Sequence, residues 1–159
     1  MLERNEPVTL PGRETGTAVP CLTVLDADKS IKFYEKAFGF KVIADEILKT
    51  GGKTVHAGMS FEDRPVVMIS PENDFMPEMK SPATTKTTPP VIFYIYCADI
   101  DTFTEAARVA EATVLAEPAD MFWGDRKADF ADPDGYRWTF ATNTGGVDLS
   151  KAPEGFGTG

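Results

Sequence analysis

The chain carries a single histidine, His56, and two cysteines, Cys21 and Cys97, among 159 residues. Two cysteines are too few for a disulfide framework, and a chain of this length holds enough interior to do without one. One histidine leaves little material for a His-rich metal site. Basic residues are also scarce: 16 Lys and Arg stand against 25 Asp and Glu, a formal net charge of -9. That sign opposes a phosphate backbone, so no nucleic-acid partner is expected. An acidic surface favours solubility and also suits a cationic ligand. No apolar run approaches the roughly 20 residues of a membrane span, so no membrane partner is expected either. Residues 1–17 are a polar lead with Glu3, Glu6 and Glu14, without the basic start and apolar stretch of a signal peptide. The expected location is the cytoplasm. What is present is core material: 42% hydrophobic and 11% aromatic residues, a globular composition.

Along the chain, 19–25 (VPCLTVL) is a short β-rich run that ends at Asp26, and Asp26 or Asp28 can cap a following helix. Over 29–38, Ile31, Phe33, Tyr34, Ala37 and Phe38 recur at helical spacing, and Gly39 stops the helix. Strands are predicted at 40–45, 54–61 and 65–70, with turns at Gly51-Gly52 and 62–64. Residues 71–90 hold five prolines and read as a linker. The pattern then restarts: a strand at 91–97 (VIFYIYC), Asp99 and Asp101 before a helix at 102–110, and a strand at 113–116. A loop at 122–126 (FWGDR), a strand at 128–131, the turn Asp132-Pro133-Asp134-Gly135 and a last strand at 136–142 complete it. Residues 143–159 form a Gly-rich tail with little to pack.

The two halves overlay at an offset of about 73 residues, with Leu22 on Ile95, Asp26 on Asp99, Asp28 on Asp101 and Ala37 on Ala110. Each half, 18–70 and 91–142, reads as a βαβββ module. The fold class is α+β: two such modules paired so that their helix faces are buried.

These residues resemble the vicinal-oxygen-chelate superfamily of glyoxalases, dioxygenases and fosfomycin- and bleomycin-resistance proteins. LTVLDADKSIKFYEKAFGFKV is similar to its first strand and helix; YIYCADIDTFTEAA, FWGDR and ADPDGYRWTFAT are similar to its second module. HAGM, residues 56–59, is similar to a run in the PhnB-like subgroup. The resemblance covers residues 18–142 and implies a curved eight-stranded sheet, the glyoxalase/bleomycin resistance fold, in a homodimer. In metal-bearing relatives, ligands sit on four strands, which the resemblance lays on Val19, Met68, Ile92 and Thr139. None is an ordinary metal ligand, and a shift of one residue brings in none. No metal and no cofactor are therefore expected.

The candidate ligand-binding residues are Cys21, His56, Met68, Tyr94, Tyr96, Trp123, Asp125, Arg126 and Thr139. Cys21 shares strand parity with Val19; Tyr94 and Tyr96 share that of Ile92; Arg137 shares that of Thr139. In FWGDR, which the resemblance sets at the cavity mouth, Trp123 offers a flat face, and Asp125 and Arg126 either fix polar groups of a ligand or pair with each other. Asp26, Asp28, Asp99 and Asp101 read as helix caps, and Asp132 and Asp134 as turn residues. The cysteines lack a cationic neighbour in sequence and read as small strand residues. The expected function is metal-independent binding or sequestration of a small molecule, with a cationic, aromatic, antibiotic-like ligand as one candidate. A glyoxalase-like lyase or isomerase working through His56, Arg126 or a cysteine is the alternative. A linker that docks a partner is a third.

Overall fold

A computed structural model describes residues 18–155. The first module comprises β1 (Cys21–Val24), α1 (Ala27–Phe33), β2 (Lys41–Thr50), β3 (Lys53–Phe61) and β4 (Arg64–Pro71). The second comprises β5 (Ile92–Tyr96), α3 (Ile100–Val109), β6 (Thr113–Asp120), β7 (Asp125–Ala131) and β8 (Arg137–Asn143), and a short α2 (Pro82–Thr85) lies between them. The eight strands divide into two four-stranded mixed sheets, β1-β4-β3-β2 and β5-β8-β7-β6. In each, the first strand runs parallel to the last and the rest are antiparallel. This is the expected α+β pair of βαβββ modules.

Sequence explains the elements locally. Asp26 and Asp99 are extended N-caps whose side chains accept from Lys29 N at 3.1 Å and Thr102 N at 3.0 Å. Asp28 is not the cap; it accepts from Thr54 Oγ1 at 2.6 Å and fastens α1 to β3. The first helix continues from Tyr34 to Phe38 as a widened π turn and stops at Gly39, which sits at φ 69. That widened turn carries the largest aromatic side chains of the helix into the core. Tyr34, Phe38, Phe40, Phe130, Trp138 and Phe140 are all fully buried, and the Phe38 ring meets both Trp138 and Phe140. One aromatic core thus joins the first module's helix to the second module's sheet.

The β7–β8 turn completes the union. Asp132 Oδ2 accepts from Tyr34 Oη at 2.7 Å and Trp138 Nε1 at 2.8 Å, while its Oδ1 accepts from Tyr136 N at 2.9 Å. Asp134 accepts from Leu25 N at 2.7 Å and Ser30 Oγ at 2.6 Å. Tyr136 Oη donates to Thr23 O and accepts from Thr23 N, so it covers the free edge of β1. The two turn aspartates are therefore buried cross-module fasteners. Burial pushes the Asp132 carboxyl up to about 6, against the pull of its three donors.

Several boundaries differ from those the sequence predicts. Strand β6 runs to Asp120, beyond 116, because register shifts on both sides of Ala116 let the ladder continue past Pro118. Strand β7 begins at Asp125, so the last two residues of FWGDR are strand. Within 71–90, Ser81 caps α2, and Ala83 N donates to Asp134 O, which docks the segment on the β7–β8 turn. The start of the 143–159 tail packs: Thr144 N and Asp148 N donate to Gly124 O and Phe122 O. Gly124 sits at φ 92, where a Cβ would run into the Gly145 and Gly146 carbonyls. Residues 1–17 and 156–159, with the polar lead and the end of the tail, lie outside the described residues.

Candidate functional site

Alternation along the strands sorts the second sheet into two faces. Phe93, Ile95, Ala128, Phe130, Trp138 and Phe140 turn toward the helices. Ile92, Tyr94, Tyr96, Asp125, Lys127, Asp129, Arg137 and Thr139 occupy the other face, which no helix of the described residues covers, and Ile92 and Tyr96 are more than half exposed.

Two polar clusters organise this open face. In the first, Asp125 is buried to 3% exposure; Oδ2 accepts from Tyr94 Oη at 2.8 Å and Tyr96 Oη at 3.1 Å, and Oδ1 from Asn143 Nδ2 at 3.0 Å. Burial works against the Asp125 anion, but donation from Asn143, Tyr94 and Tyr96 outweighs it and lowers the pKa. The reciprocal effect is on Tyr94: burial first, then the Asp125 carboxylate, push its phenol up to about 12. In the second cluster, Lys127 Nζ donates to both Asp129 oxygens, at 2.8 and 2.7 Å, and Thr139 Oγ1 donates to Asp129 Oδ1 at 2.6 Å. Beside this cluster lies a cavity of about 290 Å³ whose lining includes Ile92, Leu115, Asp129, Arg137 and Thr139. Thr88 and Pro89 of the inter-module segment form one wall.

The first sheet's open face holds Cys21, paired across the ladder with Met68, and His56, whose Nδ1 lies 3.1 Å from Ser70 Oγ. Cys21 is exposed. Gly58 leaves room for the Glu46 carboxylate, which occupies the space a Cβ would take.

The structure therefore distributes the candidate residues over three places. Tyr94, Tyr96, Trp123, Asp125 and Thr139 gather on the second sheet, with Trp123 Nε1 donating to Tyr94 Oη at 3.4 Å. Cys21, His56 and Met68 share the first sheet's open face. Arg126 belongs to neither: its guanidinium is held by Asp101 at 2.7 Å and Asp120 at 3.2 Å, against the start of α3. Cys97 is half-buried, and burial pushes its thiol pKa up, away from the reactive thiolate. Lys127, Asp129 and Asn143 also belong to the site, although the sequence does not single them out. Strand parity counted from Asp125 through β7 is the signal that places the first two.

The metal positions can be tested on donor chemistry. Met68, Ile92 and Thr139 do lie on open faces, and Val19 lies two residues before β1. A thioether, an alkyl group and a hydroxyl already committed to Asp129 offer no ligand set for a transition ion. Among the described residues no group of three or more His, Cys, Asp or Glu side chains converges to hold a metal. The residues do not fit the group.

Among the described residues no helix is long and apolar enough to cross a membrane. Residues 17–140 match the family model of the Glyoxalase/Bleomycin resistance protein/Dioxygenase superfamily. The chain is 31% identical over 137 residues to an uncharacterized protein of Mycobacterium bovis, spanning 83% of this chain and 86% of that one. Its fold is similar to that of TioX from Micromonospora sp. ML1, with TM-score 0.62 and 19% identity over 80% of this chain and 98% of that one. It is also similar to a glyoxalase/bleomycin resistance protein/dioxygenase from Nocardioides, with TM-score 0.58 and 20% identity over 94% and 93% of the two chains. By sequence model, relatives and topology together, the chain belongs to the glyoxalase/bleomycin resistance protein/dioxygenase superfamily.

Proposed function

We propose that this protein binds a small molecule without a metal ion, on the open face of its second sheet. One observation carries the reading: the position matched to the last-strand metal ligand is Thr139, and its hydroxyl is spent on an internal Lys127–Asp129 ion pair beside a cavity. The Lys127 ammonium thus already neutralises the carboxylate that holds Thr139, and the walls are left to hold the ligand. Tyr94, the ladder partner of Thr139, together with Tyr96 and Trp123 supplies flat apolar area on the same face. The PhnB-like subgroup and the cytoplasmic location belong to the same proposal, supported by the run at 56–59 and by the acidic composition.

The protein acts as a homodimer in this reading. Leu48 on the first sheet and Ile92, Tyr96 and Leu115 on the second are exposed on faces that no helix of the described residues covers, more apolar surface than scattered single residues present. Light scattering after gel filtration should give twice the 17.3 kDa chain mass. Binding is tested by titrating the purified chain with small aromatic probes, after exhaustive chelation, while following Tyr94 and Thr139 by NMR. Saturable shifts at both residues that survive chelation support the reading. Shifts that appear only on adding Mn, Ni or Zn would overturn it.

A further inference from the structure

The charges on the second sheet's open face are unequally satisfied. Asp125 accepts three hydrogen bonds, and Asp129 is met by an ammonium and a hydroxyl. Lys127 is spent on Asp129. Arg137 is the exception. Its side chain is half-buried and lines the cavity, and among the described residues no acceptor takes a hydrogen bond from its guanidinium. The other two arginines of the same module are each held by carboxylates: Arg108 by Glu117 and Glu105, Arg126 by Asp101 and Asp120.

We infer that the cavity receives a small organic carboxylate, with the Arg137 guanidinium as its charge partner. The inference rests on the preceding reading that this face binds a small molecule, and it names the class. Arg137 shares this lining with Ile92, Leu115, Ala116 and Pro89 and is partly stripped of water; among the described residues no carboxylate pairs with it, and the one beside it in the lining, Asp129, is held by Lys127 and Thr139. A ligand carboxylate supplies the counter-charge with matching two-point geometry, in a setting where the attraction is less screened than in bulk water. One guanidinium suits one negative charge better than the two of a phosphate monoester. The cavity volume, about 290 Å³, lies at the small end of ligand sites, which run roughly 300–1,000 Å³, so the apolar part is a single ring or a short branched chain. The chain's net charge of -9 does not reverse this, because at physiological salt exposed charges beyond roughly 8 Å are largely screened. A cationic ligand, in contrast, would meet the unpaired Arg137 and would have to displace Lys127 to reach Asp129.

The test uses the full chain and three probes of one shape: benzoate, benzamide and benzylamine, each titrated by NMR against the wild type, Arg137→Met and Arg137→Lys. Benzoate should bind most tightly, lose at least tenfold in Arg137→Met and recover part of that in Arg137→Lys, with benzamide unchanged across the three proteins. Thermal unfolding checks that Arg137→Met folds; if it does not, a loss of two- to fivefold for benzoate alone in Arg137→Lys carries the same expectation. Benzamide or benzylamine binding as tightly as benzoate, or benzoate indifferent to Arg137, overturns the carboxylate assignment while leaving small-molecule binding at this face in place. No probe shifting Tyr94 or Thr139 overturns both.

Discussion

The two sheets share one topology, and their open faces are built differently. The second carries two hydrogen-bonded carboxylates, an internal ion pair and an arginine against a cavity. The first carries a His56–Ser70 contact beside Cys21 and Met68, with the Glu46 carboxylate over Gly58. The turns diverge in the same direction. Between β3 and β4, Glu62 and Asp63 make a tight exposed turn with φ of 47 and 61. Between β7 and β8, the equivalent turn buries Asp132 and Asp134 and fastens the modules together. A repeated unit has thus kept its ladder while its two copies carry different polar chemistry. Buried polar groups hold geometry well only when every one is satisfied.

The sharpest way to break this contrast is to strip both turns. Asp132→Ala leaves Tyr34 Oη, Trp138 Nε1 and Tyr136 N without their acceptor and should cost about 3 kcal/mol in urea unfolding, whereas Asp63→Gly, at a left-handed position, should change stability by less than about 0.5 kcal/mol. Equal costs would mean the two turns are energetically alike. The pH dependence refines it. Asp132 titrates near 6 in the fold against an ordinary 3.8. Folding therefore takes up a proton between those values; the stabilisation is complete below pH 4 and is lost as pH rises through 6. Relative to Asp132→Asn, the wild type should gain on the order of 2–3 kcal/mol as pH falls from 7 to 4. A flat difference would show that the three donors, and not burial, set this group.

The modules and the glycine stop are legible in the sequence because each follows from local rules: period-2 and helical alternation, aspartate before a helix, glycine after it. Of the four aspartates read as caps, Asp26 and Asp99 cap, while Asp28 bonds Thr54 and Asp101 bonds Arg126. The roles of Asp132 and Asp134 are not legible. Their turn chemistry is complete within 132–135, and nothing local reveals that Tyr34 and Ser30, about a hundred positions away, need acceptors. Arg126 sits apart for the converse reason: Asp125 beside it takes the open face, and strand alternation turns Arg126 toward Asp101. The division into two separate open faces is also illegible, since parity assigns a residue to a face but does not say which faces meet.

A smaller effect probes the second sheet's tyrosine cluster. Asp125→Asn removes the negative charge that raises both phenols, so Tyr94 should fall from about 12 toward 10, and Tyr96 should move the same way. Both side chains are partly exposed and water can replace the lost acceptor, so the stability cost should stay near 1 kcal/mol. Carbon-labelled tyrosine spectra recorded across the alkaline range resolve the four tyrosines. An unmoved Tyr94 would attribute its shift to burial alone and make Asp125 a bystander.

The smallest effect is expected on the first sheet, and it bears most directly on whether the two faces are functionally separate. His56→Ala removes a partly buried ring whose one hydrogen-bond partner, Ser70 Oγ, remains close enough to the surface to be rehydrated. The stability cost should be below about 1 kcal/mol. The cavity lining includes no residue of the first sheet, so benzoate affinity should change by less than threefold in this variant. A loss of tenfold or more would show that a first-module face closes over a second-module cavity in the assembled protein. His56 would then join Arg137 in one site, and the contrast between the sheets would mark two halves of a shared pocket.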